Sequence, residues 1–181
     1  MEVIVLEYSA IMKRERAALT AGSSALQLRA ARFEDVASVL RLIERAVAFG
    51  CREHYQPPQQ AAVFFSYAQA MFVEFSGPFD TVVAEQSGRV VGYAQLDSSD
   101  GRLRALFVDA VSQRQGVGRA LLAHIEARAK ARGCARLYGA MSLNAVPFYA
   151  AVGFHRSGGM ARLTSNDVAI PIVRMEKRLR P

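Results

Sequence analysis

Between residues 102 and 141 the chain reads as strand, helix, strand in short succession, and no other feature of its 181 residues constrains the fold as tightly. Leu103, Ala105 and Phe107 alternate with Arg102, Arg104 and Leu106 up to Val108, the period of two that marks a strand. Leu121, Leu122, Ile125 and Ala129 then recur at helical spacing over about 118–132, with Glu126 and Lys130 paired at i,i+4 and Gly133 as a stop. A second strand over 135–141 follows directly. Two strands joined through a single helix run parallel, and the crossover is right-handed.

The rest of the chain is arranged around that unit. Residues 81–86 and 89–96 read as a hairpin about Ser87-Gly88, and Asp97-Ser98-Ser99-Asp100-Gly101 turns the chain into the strand at 102, so these pairs are antiparallel. Upstream, a short run at 26–29 precedes Glu34-Asp35 and a helical face of Val36, Val39, Leu40, Ile43 and Val47 that Gly50 ends. After Pro57-Pro58 a second helix carries Phe64, Ala68, Met71, Phe72 and Phe75 on one stripe, while Val63, Phe65 and Tyr67 spill onto other faces. So apolar a helix points to burial on several sides, to the wall of a groove or to a homodimer contact. Downstream come a short helix over 145–152 closed by Gly153, a strand at Phe154, and a last strand near 168–178 with Pro171 expected at its start or at a bulge. The sum is a mixed α/β sheet with one parallel pair in its middle. Residues 1–24 lack sustained periodicity and end in Thr20-Ala21-Gly22-Ser23-Ser24, so they read as a flexible tail, with Met12 as an alternative start, and residues 25–181 as one domain.

Composition removes whole classes of function. With 51% hydrophobic and 22% charged residues the chain is neither disordered nor a disulfide scaffold. No run of about 18 apolar residues lacks a charge, and the basic cluster Lys13, Arg14, Arg16 follows the short apolar Val3 to Leu6 rather than preceding it. Neither a membrane span nor a secretory signal is expected, and the cytoplasm is the expected compartment. Cys51 and Cys134 have no CxxC spacing and no His cluster, so both read as reduced thiols and no metal is expected. The net charge of +7 attracts polyanions such as nucleotides, phosphorylated cofactors or nucleic acid. Nucleic acid ranks last of these. No basic run is interleaved with stacking aromatics, and the cluster Arg174, Lys177, Arg178, Arg180 is short.

The segment Gln113-Arg114-Gln115-Gly116-Val117-Gly118-Arg119-Ala120 joins the end of a strand to the start of a helix. Two glycines let the backbone turn sharply and approach a ligand, so N–H groups converge where the helix dipole is positive. That is an anion cradle, with Arg114 and Arg119 beside it. It is not a Walker loop, because Arg119-Ala120 follows Gly118 and leaves no residue for magnesium. A Rossmann loop fits poorly, with Leu121 where a third glycine belongs and Arg136 and Tyr138 where an acid belongs.

Leu106-Phe107-Val108 followed by this loop resembles the coenzyme A segment of the GNAT acetyltransferase superfamily, whose pattern is Gln/Arg-x-x-Gly-x-Gly/Ala. The run Asn144-Ala145-Val146-Pro147-Phe148-Tyr149-Ala150-Ala151-Val152-Gly153-Phe154 resembles the same family's Asn-x-x-Ala/Pro-x-x-Phe-Tyr-x-x-x-Gly-Phe segment. The ending Val173 to Leu179 resembles its last strand, so the likeness extends from Leu26 to Leu179. It implies a mixed, mostly antiparallel sheet of six or seven strands with a splayed central parallel pair and about four flanking helices.

The resemblance also implies acetyl-CoA as co-substrate, with its pyrophosphate on the amides of the 113–120 loop and its pantetheine arm on Asn144, Phe148 and the backbone of Leu106, Phe107 and Val108. The Val108 N–H becomes an oxyanion donor and Tyr149 the acid beside the thioester sulfur. Residue chemistry agrees: a phenol can protonate a thiolate, and an amide side chain offers donors and an acceptor. Asn144 also suits a cap for the short helix. The general base departs from the family, because the strand positions that carry an acid elsewhere hold Arg102 and Arg104, which suit an acidic acceptor or a solvated strand face. Glu53, His54, Tyr55, Glu85, Asp97 or a water relay remain for that role, while His124 and His155 receive none. The function implied is direct transfer of acetyl from acetyl-CoA to a primary amine, small molecule or peptide, in a ternary complex, which suits a chain with no cysteine near Tyr149 in sequence. A non-catalytic acyl-CoA-binding regulatory module is the alternative.

Overall fold

The computed structural model describes residues 25–179, and of residues 70 and 72–76 within that span the backbone alone. The tail, Met12, Arg180 and the side chains of Phe72 and Phe75 lie outside the described residues. In chain order the elements are β1 (Gln27–Ala30), α1 (Val36–Gly50), α2 (Pro57–Ser76), β2 (Asp80–Gln86), β3 (Arg89–Asp97), β4 (Arg102–Val108), α3 (Val117–Ala131), β5 (Arg136–Ser142), α4 (Val146–Ala151), β6 (His155–Ser165) and β7 (Val168–Arg178). Three single 3-10 turns, Phe33–Asp35, Ala110–Ser112 and Leu143–Ala145, link some of them. The strands form one seven-stranded sheet in the order β1-β2-β3-β4-β5-β7-β6, antiparallel throughout except where β4 meets β5.

Each face of the sheet has its own core. Leu121, Leu122, Ile125 and Ala129 of α3 bury their predicted stripe against Val82, Ala84, Val91, Ala94 and Leu96. Val39, Leu42, Ile43 and Val47 of α1 and Met71 of α2 cover Val83, Tyr93 and Ala105 on the other face. Burying a side chain of this size contributes about 1.5–3 kcal/mol, so either stripe outweighs the weak helix propensity of its β-branched members. Close approach of α3 depends on Gly92, where a Cβ would stand 2.7 Å from Leu121 Cδ1 and 2.8 Å from Val117 Cγ1.

Four expectations are corrected. Among the side chains described, α2 is buried on one side rather than on several: Ala62 and Met71 are buried, Val63, Phe64 and Tyr67 half-buried, and Phe65 is 48% exposed. β4 does not alternate evenly, because Gln95 pairs with Ala105 and Leu96 with Leu103, leaving Arg104 as the extra residue of a bulge. Leu103 therefore packs on the α3 face while Ala105 and Phe107 pack beneath α1 and α2. The strand beginning beyond Phe154 is β6, eleven residues long, joined to β7 by a turn with Asn166 and Asp167 at φ 48° and 60°. Pro171 sits within β7, in register with Arg162, and the irregularity of this hairpin falls instead between Arg156 and Met160. β5 ends opposite Ile172, so the N–H that Pro171 lacks is missed by no partner on that side. Among the described residues no helix is long and apolar enough to cross a membrane.

Candidate active site

The site begins where the parallel pair comes apart. β4 and β5 share one register pair, Arg102 with Tyr138, whose N–H donates to the Gly101 carbonyl at 3.1 Å. Gly139 still lies so close to β4 that a Cβ there would stand 2.8 Å from the Leu103 carbonyl. Beyond this point the strands diverge. The Asp109 N–H donates to the Val91 carbonyl at 2.9 Å, and strand alternation therefore turns the N–H groups of Leu106 and Val108 away from β3 and toward the gap.

Tyr55 lines the gap where β5 ends. Its hydroxyl accepts from the Leu143 N–H at 2.8 Å and donates to the Pro171 carbonyl at 2.7 Å, spanning the place where β5 has ended and β7 has begun. The cavity here has a volume of about 760 Å³ and is lined from both faces of the sheet. Its walls include Leu106, Val108, Phe148 and Tyr149 from the α3 and α4 face and Val47, Cys51, Val63, Tyr67 and Phe107 from the α1 and α2 face.

At one mouth lies the 113–120 loop. Asp109, buried and ion-paired with Arg45 of α1, caps the turn Ala110–Ser112 that launches it. The Gln113 and Gln115 side-chain amides donate to the carbonyls of Val108 at 3.3 Å and Val111 at 3.0 Å, so both glutamines hold the loop in shape. Arg114 at φ 65° and Gly116 at φ 87° turn the backbone into α3, and a Cβ on Gly116 would meet nothing within 4 Å, so the loop is open at that point. Gly118 does not turn the backbone: it is already helical and faces the Phe148 ring, 3.4 Å from where its Cβ would be. Gln113, Arg114, Gly116, Gly118 and Arg119 line the cavity, whereas Gln115, Val117 and Ala120 support the loop from outside it.

Tyr149, in the short α4, lies on the cavity wall with its ring between Phe148 and Phe154, each centroid 5.2 Å away. Burial holds its phenol well above the ordinary value, and Tyr67 across the gap adds to that shift, so it stays protonated at neutral pH. Asn144 lines the cavity too, but it caps no helix. Its Oδ1 accepts from the Cys51 thiol at 3.5 Å, and its Nδ2 lies 3.2 Å from where a Cβ on Gly50 would be, so it is seated on the end of α1. Cys51 thus lies in the cleft that holds Tyr149, where the sequence separation of nearly a hundred residues suggested no cysteine. Burial pushes its thiol up to about 11, so it stays a neutral donor rather than a thiolate.

The sequence candidates for a base fare differently. Glu53 and His54 are exposed outside the cavity, Glu85 accepts from Arg29 at 2.9 Å, and Asp97 accepts from the Ser99 hydroxyl at 2.6 Å. Tyr55 lines the cavity with its hydroxyl committed to two backbone groups. Among the residues whose side chains are described no carboxylate lines the cleft, and its charged residues are Arg104, Arg114 and Arg119. Arg104 is not merely a solvated strand residue: the bulge aims it at Gln95, to whose Oε1 its Nε donates at 3.2 Å, and at the Phe79 ring, 4.5 Å from its guanidinium carbon. Tyr67 and Val63 bear out the groove-wall reading of the second helix, whereas Val47, Cys51, Leu163 and Ile170 line the cavity without having been singled out as site members, because they come from elements far apart in sequence. No cluster of three or more metal-ligating side chains occurs among the described residues.

The geometry has close parallels. A solved GCN5-related N-acetyltransferase from Rhodopseudomonas palustris is 26% identical and superposes with a TM-score of 0.80, over 86% of this chain and 97% of that one. PaiA N-acetyltransferase from Thermoplasma acidophilum, solved in complex with coenzyme A, is 16% identical with a TM-score of 0.71, over 86% and 99%. The ribosomal-protein-S18-alanine N-acetyltransferase from Escherichia coli is 21% identical with a TM-score of 0.64, over 87% and 96%. A comparison with curated proteins found no match. The family model described as the GNAT acetyltransferase domain matches residues 51–179, from the end of α1 to the end of β7, and the chain therefore belongs to the GNAT acetyltransferase family.

Proposed function

We propose that the chain moves acetyl from acetyl-CoA directly to a primary amine, with Tyr149 as general acid. The observation that carries this reading is the cleft itself: one gap lined from both faces of the sheet has the glycine loop 113–120 at one side, the end of β4 where its register with β5 has stopped, and a buried phenol on its wall. Bound acetyl-CoA supplies a thioester already activated for attack.

Around it the chain's own groups divide the work. The amides at the start of α3, with Arg114 and Arg119 beside them, take the diphosphate. The backbone of Leu106 and Val108 pairs with the amide-rich arm, the Val108 N–H faces the carbonyl oxygen, and Asn144 and Phe148 bound the arm on the opposite side. Tyr149 holds its proton for the leaving sulfur. A phenol shifted upward is a weak acid against a thiol of pKa about 8.5 in water, but the burial that raises one raises the other. Cys51, held as a neutral thiol, is unsuited to carry acetyl, which favours direct attack by the amine.

The test is release of free thiol from acetyl-CoA across a panel of primary amines, with acetyl-CoA affinity measured in parallel. Turnover with at least one amine is expected. The cleft's lack of a described carboxylate favours one second reading, a non-catalytic acyl-CoA-binding module. Tight acetyl-CoA binding with no thiol released by any amine would establish it instead.

A further inference from the structure

We propose that the acceptor is a monoamine with an apolar body, aliphatic or aromatic, bound on the α1 and α2 face of the cleft against Val63, Tyr67, Phe107, Leu163 and Ile170; this rests on the reaction proposed above. Because the gap is lined from both faces of the sheet, a donor seated on the 113–120 loop enters from the α3 face and leaves the other mouth to the acceptor. Four elements build that second mouth: α2 gives Val63 and Tyr67, β4 gives Phe107, β6 gives Leu163 and β7 gives Ile170. Tyr67 and Phe107 stand edge to face at 4.8 Å, a firm aromatic wall. Leu163 is 49% exposed at the rim, an apolar side chain left on the surface of a strand whose neighbours are largely polar.

The polar groups here are few and face their own backbone. The Ser66 hydroxyl donates to the Val63 carbonyl at 2.7 Å, and the Tyr67 hydroxyl to the Arg104 carbonyl at 3.2 Å. The charged side chain on this face, among those described, is Arg104. A polyamine or aminoglycoside placed here would lose water from a second ammonium beside a guanidinium, with no described carboxylate in the cleft to repay it. A monoamine presents its single nitrogen at the gap and removes its apolar body from water.

The experiment uses the full chain with acetyl-CoA and four acceptors: phenethylamine, hexylamine, spermidine and an aminoglycoside. The expected result is a kcat/KM for phenethylamine at least tenfold above those for spermidine and the aminoglycoside. Leu163→Glu, a change at a half-exposed edge position, is expected to shrink that ratio at least fivefold while acetyl-CoA affinity is unchanged. Spermidine turned over as well as phenethylamine by the natural chain overturns the inference and leaves the reaction standing. If none of the four releases thiol although acetyl-CoA binds, the reaction fails, and calorimetry on the CoA-loaded chain decides the inference: phenethylamine binding more tightly than spermidine sustains it, the reverse order overturns it.

Discussion

Tyr149 and Cys51 show how one cleft gives two weakly acidic side chains different parts. Both are buried on the cavity wall and both hold their protons, but the thiol donates its hydrogen to Asn144 at the end of α1, while the phenol ring is held between Phe148 and Phe154. Tyr149→Phe keeps the ring between Phe148 and Phe154 and removes the proton, so kcat should fall by about 10²–10⁴ with acetyl-CoA affinity within about twofold. Steady-state kinetics beside calorimetry decide this, and an unchanged kcat would refute the acid role. A cleft with no carboxylate among its described side chains has its own signature. If water takes the amine's proton, kcat/KM should climb about tenfold per pH unit between roughly 7 and 9, tracking the neutral fraction of an amine of pKa about 10.4. Tyr149, raised rather than lowered, adds no falling limb across that window. A plateau beginning near pH 7 would reveal a base within the chain.

At the scale of elements, the junction of β4 with α3 determines what the site can hold. The bulge at Arg104 switches the faces of β4, and the Asp109 cap with the two glutamine amides then sets the loop without using its N–H groups as partners. Gly116 separates folding from binding cleanly. Its φ of 87° makes Gly116→Val cost about 1–2 kcal/mol in strain, and a Cβ there meets nothing within 4 Å, while on the proposed mechanism the new side chain would stand in the way of the diphosphate. Acetyl-CoA Kd should rise at least tenfold while thermal unfolding moves only a few degrees, as titration calorimetry and circular dichroism would measure. Unchanged affinity would remove the cradle from the mechanism. Gly118, packed on Phe148, would not separate the two effects.

For the whole molecule, the sheet is held along most of its length and open at one place, so a ligand filling that place should stabilise the fold by mass action. At a hundred times Kd the gain is about 2.7 kcal/mol, which for a domain of this size raises Tm by roughly 5–10 °C. Pantetheine, which lacks the diphosphate, should give less than half that shift at equal concentration, and an equal shift would mean the loop does not grip phosphate. Local pattern made much of this legible. The stripe of α3 follows from helical spacing, the hairpin of β2 and β3 from the residues at its turn, and the loop from its glycines and the strand before it, because each depends on neighbours within a few positions. The parallel pair was legible because a helical crossover permits no other direction. What residues distant in sequence bring together was not: the splay of β4 from β5, the Tyr55 bridge from the helix link to Leu143 and Pro171, Cys51 against Asn144, and Tyr67 facing Tyr149. Those depend on where strand pairing stops and which groups then meet across the gap, a balance of long-range packing and hydrogen bonding that no local period encodes.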